Sequence, residues 1–250
     1  MCKYQYSLGI SLNKPCSSAV DSVSSAFDGP RSAARPVALF DLDGTLTHRD
    51  TLFPFLVGYL ARHPARLPRV GRLVPAVLGY ALGGHDRGLL KSRAIRAVMA
   101  GDARTLVESW AERFVADLKP RGAFRAAGLA VLEAHRSAGD RLVLLSASPD
   151  LYVPLIGRLL GFERTVCTEI RWNGERLDGA LRTPNRWGEE KVRCLEQLRA
   201  DYAHAPVTAY GNSLSDIPHL ALAERALLVN GNAAARRGAA RAGIPTAEWP

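Results

Sequence analysis

The stretch Val37-Ala38-Leu39-Phe40-Asp41-Leu42-Asp43-Gly44-Thr45-Leu46-Thr47 restricts the fold more than any other part of the chain. Its first four residues are an unbroken apolar run, the pattern of a central parallel strand covered on both faces. Two carboxylates, Asp41 and Asp43, follow at the strand's carboxyl end, where open α/β sheets place their ligands. Alternate residues of an extended chain point the same way, so Asp41 and Asp43 share one side while Leu42 turns back to the core. Gly44 permits a sharp departure, and Thr45 supplies a hydroxyl. Two like charges this close repel unless a proton or a cation lies between them. A hard divalent cation such as magnesium, which takes carboxylate and carbonyl oxygens, meets that requirement.

Further runs of the same kind follow. Residues 141–145 (Arg-Leu-Val-Leu-Leu) read as a second buried strand ending in Ser146-Ala147-Ser148-Pro149. Residues 151–160 read as a helix stopped by Gly161, and 164–168 return to the sheet. Residues 169–172 and 177–181 flank Asn173-Gly174 as a hairpin with a tight Asn-Gly turn. A helix opens at Gly188-Glu189-Glu190-Lys191, and a first-turn lysine opposes the helix dipole, so Lys191 points to an anionic partner. Residues 207–210 form another strand, leading into Gly211-Asn212-Ser213-Leu214-Ser215-Asp216. A strand at 225–229 and a helix around 233–242 close the chain.

Between the first two strands, residues 50–140 carry apolar positions at helical spacing, among them Leu52, Phe55, Leu56, Tyr59, Ile95, Met99, Trp110, Phe114 and Leu118. Prolines and glycines punctuate the series, which reads as a helical bundle with Asp102 as the N-cap of the Trp110 helix. The insertion is rich in arginine, and residues 73–82 are apolar nearly all round, so that face is either buried or set against something greasy. Residues 1–35 are serine-rich without period and read as a disordered leader. Cys2, Cys16, Cys167 and Cys194 form no C-x-x-C pair and suit free thiols in a reducing compartment. No apolar run approaches the roughly 20 residues that span a bilayer, and the N-terminus lacks a secretory pattern.

Asp41-Leu42-Asp43-Gly44-Thr45-Leu46-Thr47 resembles the first motif of the haloacid dehalogenase superfamily of phosphohydrolases. Ser146, Lys191 and Gly211-Asn212-Ser213-Leu214-Ser215-Asp216 resemble its second, third and fourth motifs, in the same order. The helical insertion after the first motif is similar to the cap of the phosphoserine phosphatase-like branch. The resemblance implies an α/β fold, a doubly wound parallel sheet from 36–49 and 141–250 with a helical cap over 50–140. It also implies a magnesium-dependent phosphomonoesterase. Asp41 would be the nucleophile and Asp43 the acid/base. Ser146 and Lys191 would bind phosphate. Asp41, the Asp43 carbonyl, Asn212 and Asp216 would hold the metal. Asn212 departs from the usual acid there and removes a charge from the metal site. Asp50 stands where the branch carries an acid that meets the substrate, although it equally suits a helix cap. Lys91 and Arg93 are candidates to grip a second anionic group.

The formal charge of +9 favours anionic partners. A small phosphorylated metabolite is one expected substrate. A lipid phosphate, as for phosphatidylglycerophosphatase C, is another, reached through peripheral membrane contact of the basic, apolar cap. A non-catalytic phospholigand-binding protein is a third possibility. No nucleic-acid motif accompanies the charge. A cytoplasmic location, with the inner membrane face as a variant, follows from the cysteines and the absent signal; nothing in the sequence sets an oligomeric state.

Overall fold

Val37–Phe40 (β1) lies inside a six-stranded sheet, as its continuous burial requires. The computed structural model describes residues 34–73 and 87–250. The leader up to residue 33, with Cys2 and Cys16, and residues 74–82 of the apolar run lie outside the described residues. The strands are Arg141–Pro149 (β2), Arg164–Thr168 (β3), Val207–Gly211 (β6), Arg225–Val229 (β7) and Thr246–Ala247 (β8), in the order β3-β2-β1-β6-β7-β8. All five pairings are parallel. Strand order reverses between β1 and β6, so the crevice for a ligand opens beyond Phe40 and Gly211. The expected doubly wound α/β sheet is what forms.

Helices cover both faces. Leu195 and Leu198 of Glu189–Asp201 (α6) and Ala235 and Ala239 of Ala233–Arg241 (α7) pack against Val37, Leu39, Val143, Leu145 and Ala209. Each fully buried leucine or valine contributes about 1.5–3 kcal/mol. Phe40 stacks on Tyr210 with ring centroids 4.6 Å apart, and His135 is held between Asp140 (2.6 Å) and the Tyr210 hydroxyl (2.7 Å).

The insertion contains Leu52–Arg62 (α1), short helical turns over 64–73, Arg87–Met99 (α2), Arg104–Leu118 (α3) and Ala126–Ala138 (α4). Phe55 of α1 and Phe114 of α3 meet at 5.2 Å, and Phe55 packs on Tyr152 at 4.6 Å, just before Val153–Leu160 (α5). That aromatic cluster ties the insertion to the segment after β2.

Four expectations change. The hairpin of Ile170–Asn173 (β4) and Arg176–Leu181 (β5), read as part of the core, packs on α2. Ser92 Oγ donates to the Gly179 carbonyl at 3.2 Å, and the Leu177 and Gly101 amides exchange bonds with Asp102 and Leu177 carbonyls. The cause is the open edge of a two-stranded ribbon, which takes main-chain partners from residues 101–104. Its turn is Gly174-Glu175 rather than Asn173-Gly174, because Asn173 pairs with Arg176. Asp102 does not cap α3; Ala103 occupies that position, and the buried Asp102 carboxylate accepts the Tyr59 hydroxyl at 2.5 Å and pairs with Arg66. Arg35, assigned to the leader, is fastened to the core by Glu163 and the Asp140 carbonyl.

Candidate active site

The carboxyl ends of β1, β2 and β6, the start of α6 and the inner side of the insertion surround one cavity of about 460 Å³. Asp41, Asp43, Asp50, Lys91, Ser148, Lys191, Asn212 and Asp216 all line it. Lys191 is the link. Its buried ammonium donates to Asp41 Oδ1 and Asp216 Oδ1, both at 2.7 Å. Residues 41, 191 and 216, far apart in sequence, thus meet around one charge. The first-turn lysine has the anionic partners that its place against the helix dipole called for.

Gly44 makes the approach of Asn212 possible. It sits at φ +82°, and an added Cβ would fall 2.0 Å from the Asn212 side-chain nitrogen. Gly211 plays the same part for Asp216, whose Cβ would lie 2.7 Å from a Cβ at that position. Asp216 is fixed through Oδ2, which accepts from the amides of Asn212 (3.2 Å) and Ser213 (2.9 Å) and from Ser213 Oγ (2.7 Å).

Burial pushes the Asp41 carboxyl up to about 7 despite the opposing pull of Lys191. Burial also acts upward on Asp216, but Lys191 and the Ser213 hydrogen bond overcome it and hold that acid well below the usual range. Lys191 in turn is raised: the two carboxylates outweigh its desolvation. One cation therefore serves two buried acids, and the deficit falls on Asp41. Asp43 is raised by burial and by the charge of Asp50, against hydrogen bonds from Ser148 and Thr51. Its Oδ1 accepts the Thr51 amide and hydroxyl, both at 2.7 Å, and its Oδ2 accepts Ser148 Oγ at 2.6 Å.

The donor set suits a hard cation. Asp41, Asp216 and the Asp43 main-chain carbonyl offer oxygens, Asn212 can offer its side-chain oxygen, and one lysine charge is shared between the Asp41 and Asp216 carboxyls. With Asn212 in place of an acid, no group of three or more His, Cys, Asp or Glu side chains is arranged for a metal among the described residues. An ion at this place would be held with fewer ligand charges than at a fully acidic site.

The other expected residues divide. Ser146 is fully buried and outside the cavity lining, where its Oγ accepts the Ser148 amide at 3.0 Å; Ser148 is the hydroxyl that faces the cavity. Asp50 lines the cavity and also caps α1, accepting the Phe53 amide at 3.0 Å. Lys91 reaches across from α2 to Asn185 Oδ1 (2.6 Å) and the Ala147 carbonyl. Burial pushes its ammonium down to about 8, and it has no carboxylate within ion-pair distance among the described residues. Arg93 is exposed and is not brought to the cavity. Arg87, one helical turn before Lys91, and Trp187, 4.9 Å from its guanidinium, line the cavity and were not singled out. The i, i+4 spacing of Arg87 and Lys91 was the available signal. Cys167 and Cys194 are free thiols, as expected, and both are buried.

The profile of the haloacid dehalogenase-like hydrolases matches residues 38–221. The chain belongs to that family. Protein CicA of Caulobacter vibrioides is 32% identical over 186 residues, covering 74% of this chain and 82% of that protein. A protein of unknown function from Bordetella pertussis shares the fold with a TM-score of 0.72, at 24% identity over 86% of this chain and 98% of that one. A phospho-aspartyl intermediate analogue of phosphoserine phosphatase superposes with a TM-score of 0.58, at 13% identity over 83% and 91% of the two chains. The dehalogenase-like assignment accounts for the sheet order and for the four motif segments converging on one crevice. No helix among the described residues is long and apolar enough to cross a membrane.

Proposed function

We propose that this protein is a phosphomonoester hydrolase that transfers the phosphoryl group to Asp41 and then to water. The observation that carries this is the Asp41–Lys191–Asp216 cluster in a cavity that Asp43 also lines. Magnesium, held by Asp41, the Asp43 carbonyl, Asn212 and Asp216, would supply positive charge for the phosphoryl oxygens and for Asp41. Lys191 pulls Asp41 toward its ionised form against the effect of burial and adds its own charge at the same place. Asp41 attacks phosphorus as the ester oxygen leaves, and Asp43 gives that oxygen a proton. In the second half a water attacks phosphorus, Asp41 leaves, and the water's proton passes to Asp43. Ser148 is the cavity-facing hydroxyl beside Asp43. Lys91, an ammonium without a carboxylate partner among the described residues, and Asp50 border the space for the leaving group.

The test is phosphate release from p-nitrophenyl phosphate and from a panel of phosphorylated metabolites and lysophospholipids. Magnesium-dependent release that Asp41→Asn abolishes is expected. Phosphate-ester binding without turnover would instead leave a ligand-binding protein.

A lipid phosphate at a membrane surface has its own support. Phe53 and Val57, one turn apart on α1, are 72% and 46% exposed. A second cavity of about 430 Å³, lined by Trp110, Phe114, Leu118 and Arg62, shares His48, Arg49 and Asp50 with the first. Salt-sensitive sedimentation with anionic liposomes is expected on this reading, and no sedimentation would exclude it.

A further inference from the structure

The second cavity, of about 430 Å³, is lined by α1 and α3 and adjoins the active site. Pro54, Gly58 and Arg62 line it from α1, and Trp110, Phe114 and Leu118 from α3, each set spaced four residues apart along one helix face. His48, Arg49 and Asp50 border both cavities. From Pro54 to Arg62 the lining advances about 12 Å along α1, away from that shared segment. The volume is that of a small-molecule site.

The polar groups along this lining are engaged within the protein. The Trp110 indole nitrogen donates to the Phe55 carbonyl at 3.2 Å, which leaves ring carbon to face the cavity. Arg62, exposed at the outer end, donates to the Gly58 carbonyl at 3.2 Å, and its guanidinium lies 4.6 Å from the centre of the Trp110 ring. Arg121 pairs with Asp117 at 2.9 Å. Thr47 Oγ1 donates to the Arg49 carbonyl at 2.8 Å, and Thr51 Oγ1 to Asp43 at 2.7 Å. What remains between the shared segment and Arg62 is hydrocarbon: Pro54, the Trp110 and Phe114 rings, Leu118 and Ala123. An apolar ligand gains there by leaving water, whereas a polar one gives up its hydration without finding partners.

We propose that this cavity holds the hydrocarbon chain of a single-chain phosphate monoester whose phosphate sits in the first cavity. The inference rests on the phosphomonoesterase reading above and names the class of alcohol released. The shared segment sets the order of the parts: phosphate beside Asp41 and Lys191, the ester oxygen toward Asp43 and Asp50, and the chain past residues 48–50 onto Trp110 and Phe114. Two helices of the protein itself take the chain out of water, so recognition needs no bilayer. Contacts this far from phosphorus are made equally in the ground state and the transition state, so they lower KM rather than raise kcat.

The test is a series of n-alkyl phosphates from butyl to octyl, each below the concentration at which it forms micelles, with p-nitrophenyl phosphate beside them. Each methylene that enters the cavity is expected to raise kcat/KM by about threefold to fourfold, chiefly through KM. Octyl phosphate, with half of its added methylenes seated, then exceeds butyl phosphate by at least about tenfold. Ala123→Leu adds bulk to the cavity from the loop after α3, and Pro54→Leu from α1. Each is expected to cut the octyl-to-butyl ratio by at least about fivefold, close to the loss of one seated methylene. A folding defect lowers both esters alike and leaves the ratio as it was. A wild-type ratio below tenfold, a ratio that both variants leave intact, or a preference that arises only above the micelle concentration or on vesicles overturns the proposal and leaves the phosphomonoesterase standing. Phosphate release from none of the esters, p-nitrophenyl phosphate included, refutes the phosphomonoesterase reading, and this inference with it.

Discussion

Lys191→Met removes a cation bonded to two buried carboxylates. Asp41 and Asp216 are 7% and 2% exposed, and each accepts Lys191 Nζ at 2.7 Å. Breaking a buried pair by removing one partner costs about 3–5 kcal/mol, because the remaining charge is left uncompensated. For a domain of this size that corresponds to a fall in Tm of roughly 6–20 °C. The penalty depends on pH with a definite sign. Lys191 has a raised pKa, so its contribution is complete below the unfolded lysine value and is constant from pH 5 to 8. In the variant the two carboxyls lose their cation and take up protons in the folded state at pH values where the unfolded chain has already lost them. Stability of the variant therefore falls as pH rises, and the gap from wild type is wider at pH 8 than at pH 5. Urea unfolding of both proteins with a chelator present, at the two pH values, measures it. A loss below about 1 kcal/mol at pH 8, within the range of an exposed pair, or a gap independent of pH, refutes the reasoning.

Two more outcomes follow from the geometry. Asn212→Asp restores an acid to the proposed metal site and is expected to lower the magnesium concentration for half-maximal phosphate release by about tenfold, read from a titration, since ligand charge count tunes affinity. Gly44→Ala places a Cβ 2.0 Å from the Asn212 nitrogen at a backbone φ of +82°. It is expected to cost about 1–2 kcal/mol in urea unfolding from the backbone alone and to lower turnover further by displacing Asn212.

The sheet was legible because its central strands β1, β2 and β6 are almost wholly buried. Residues 37–40, 141–145, 207–210 and 225–229 are short apolar runs that few other elements tolerate, and all four are parallel strands here. Asp41 and Lys191 were legible for an electrostatic reason, as charges at a strand end and in a helix's first turn, whereas Asp216 was legible only through the resemblance of residues 211–216 to a family motif. What escaped depends on where side chains turn once the chain is packed. Ser146 and Ser148 are two residues apart on one strand end, and only the cavity distinguishes them. Asp102 has the composition of a helix cap, but Tyr59 and Arg66 compete for its carboxylate. Arg93 and Lys91 are equally basic in sequence, yet α2 turns Lys91 inward and Arg93 to solvent. The hairpin went to the wrong side because its partner, residues 101–104, precedes it by some seventy positions. Strand β8 is two residues long and carries no pattern of its own.

The most direct test of Asp41 as the acceptor of the phosphoryl group is mass spectrometry of the protein quenched in acid during turnover of a phosphate ester with magnesium. The account predicts a phosphate's added mass on the peptide containing Asp41, removed by hydroxylamine and absent from Asp41→Asn. Steady turnover by the wild type with no such adduct, or with the phosphate on another residue, would contradict it.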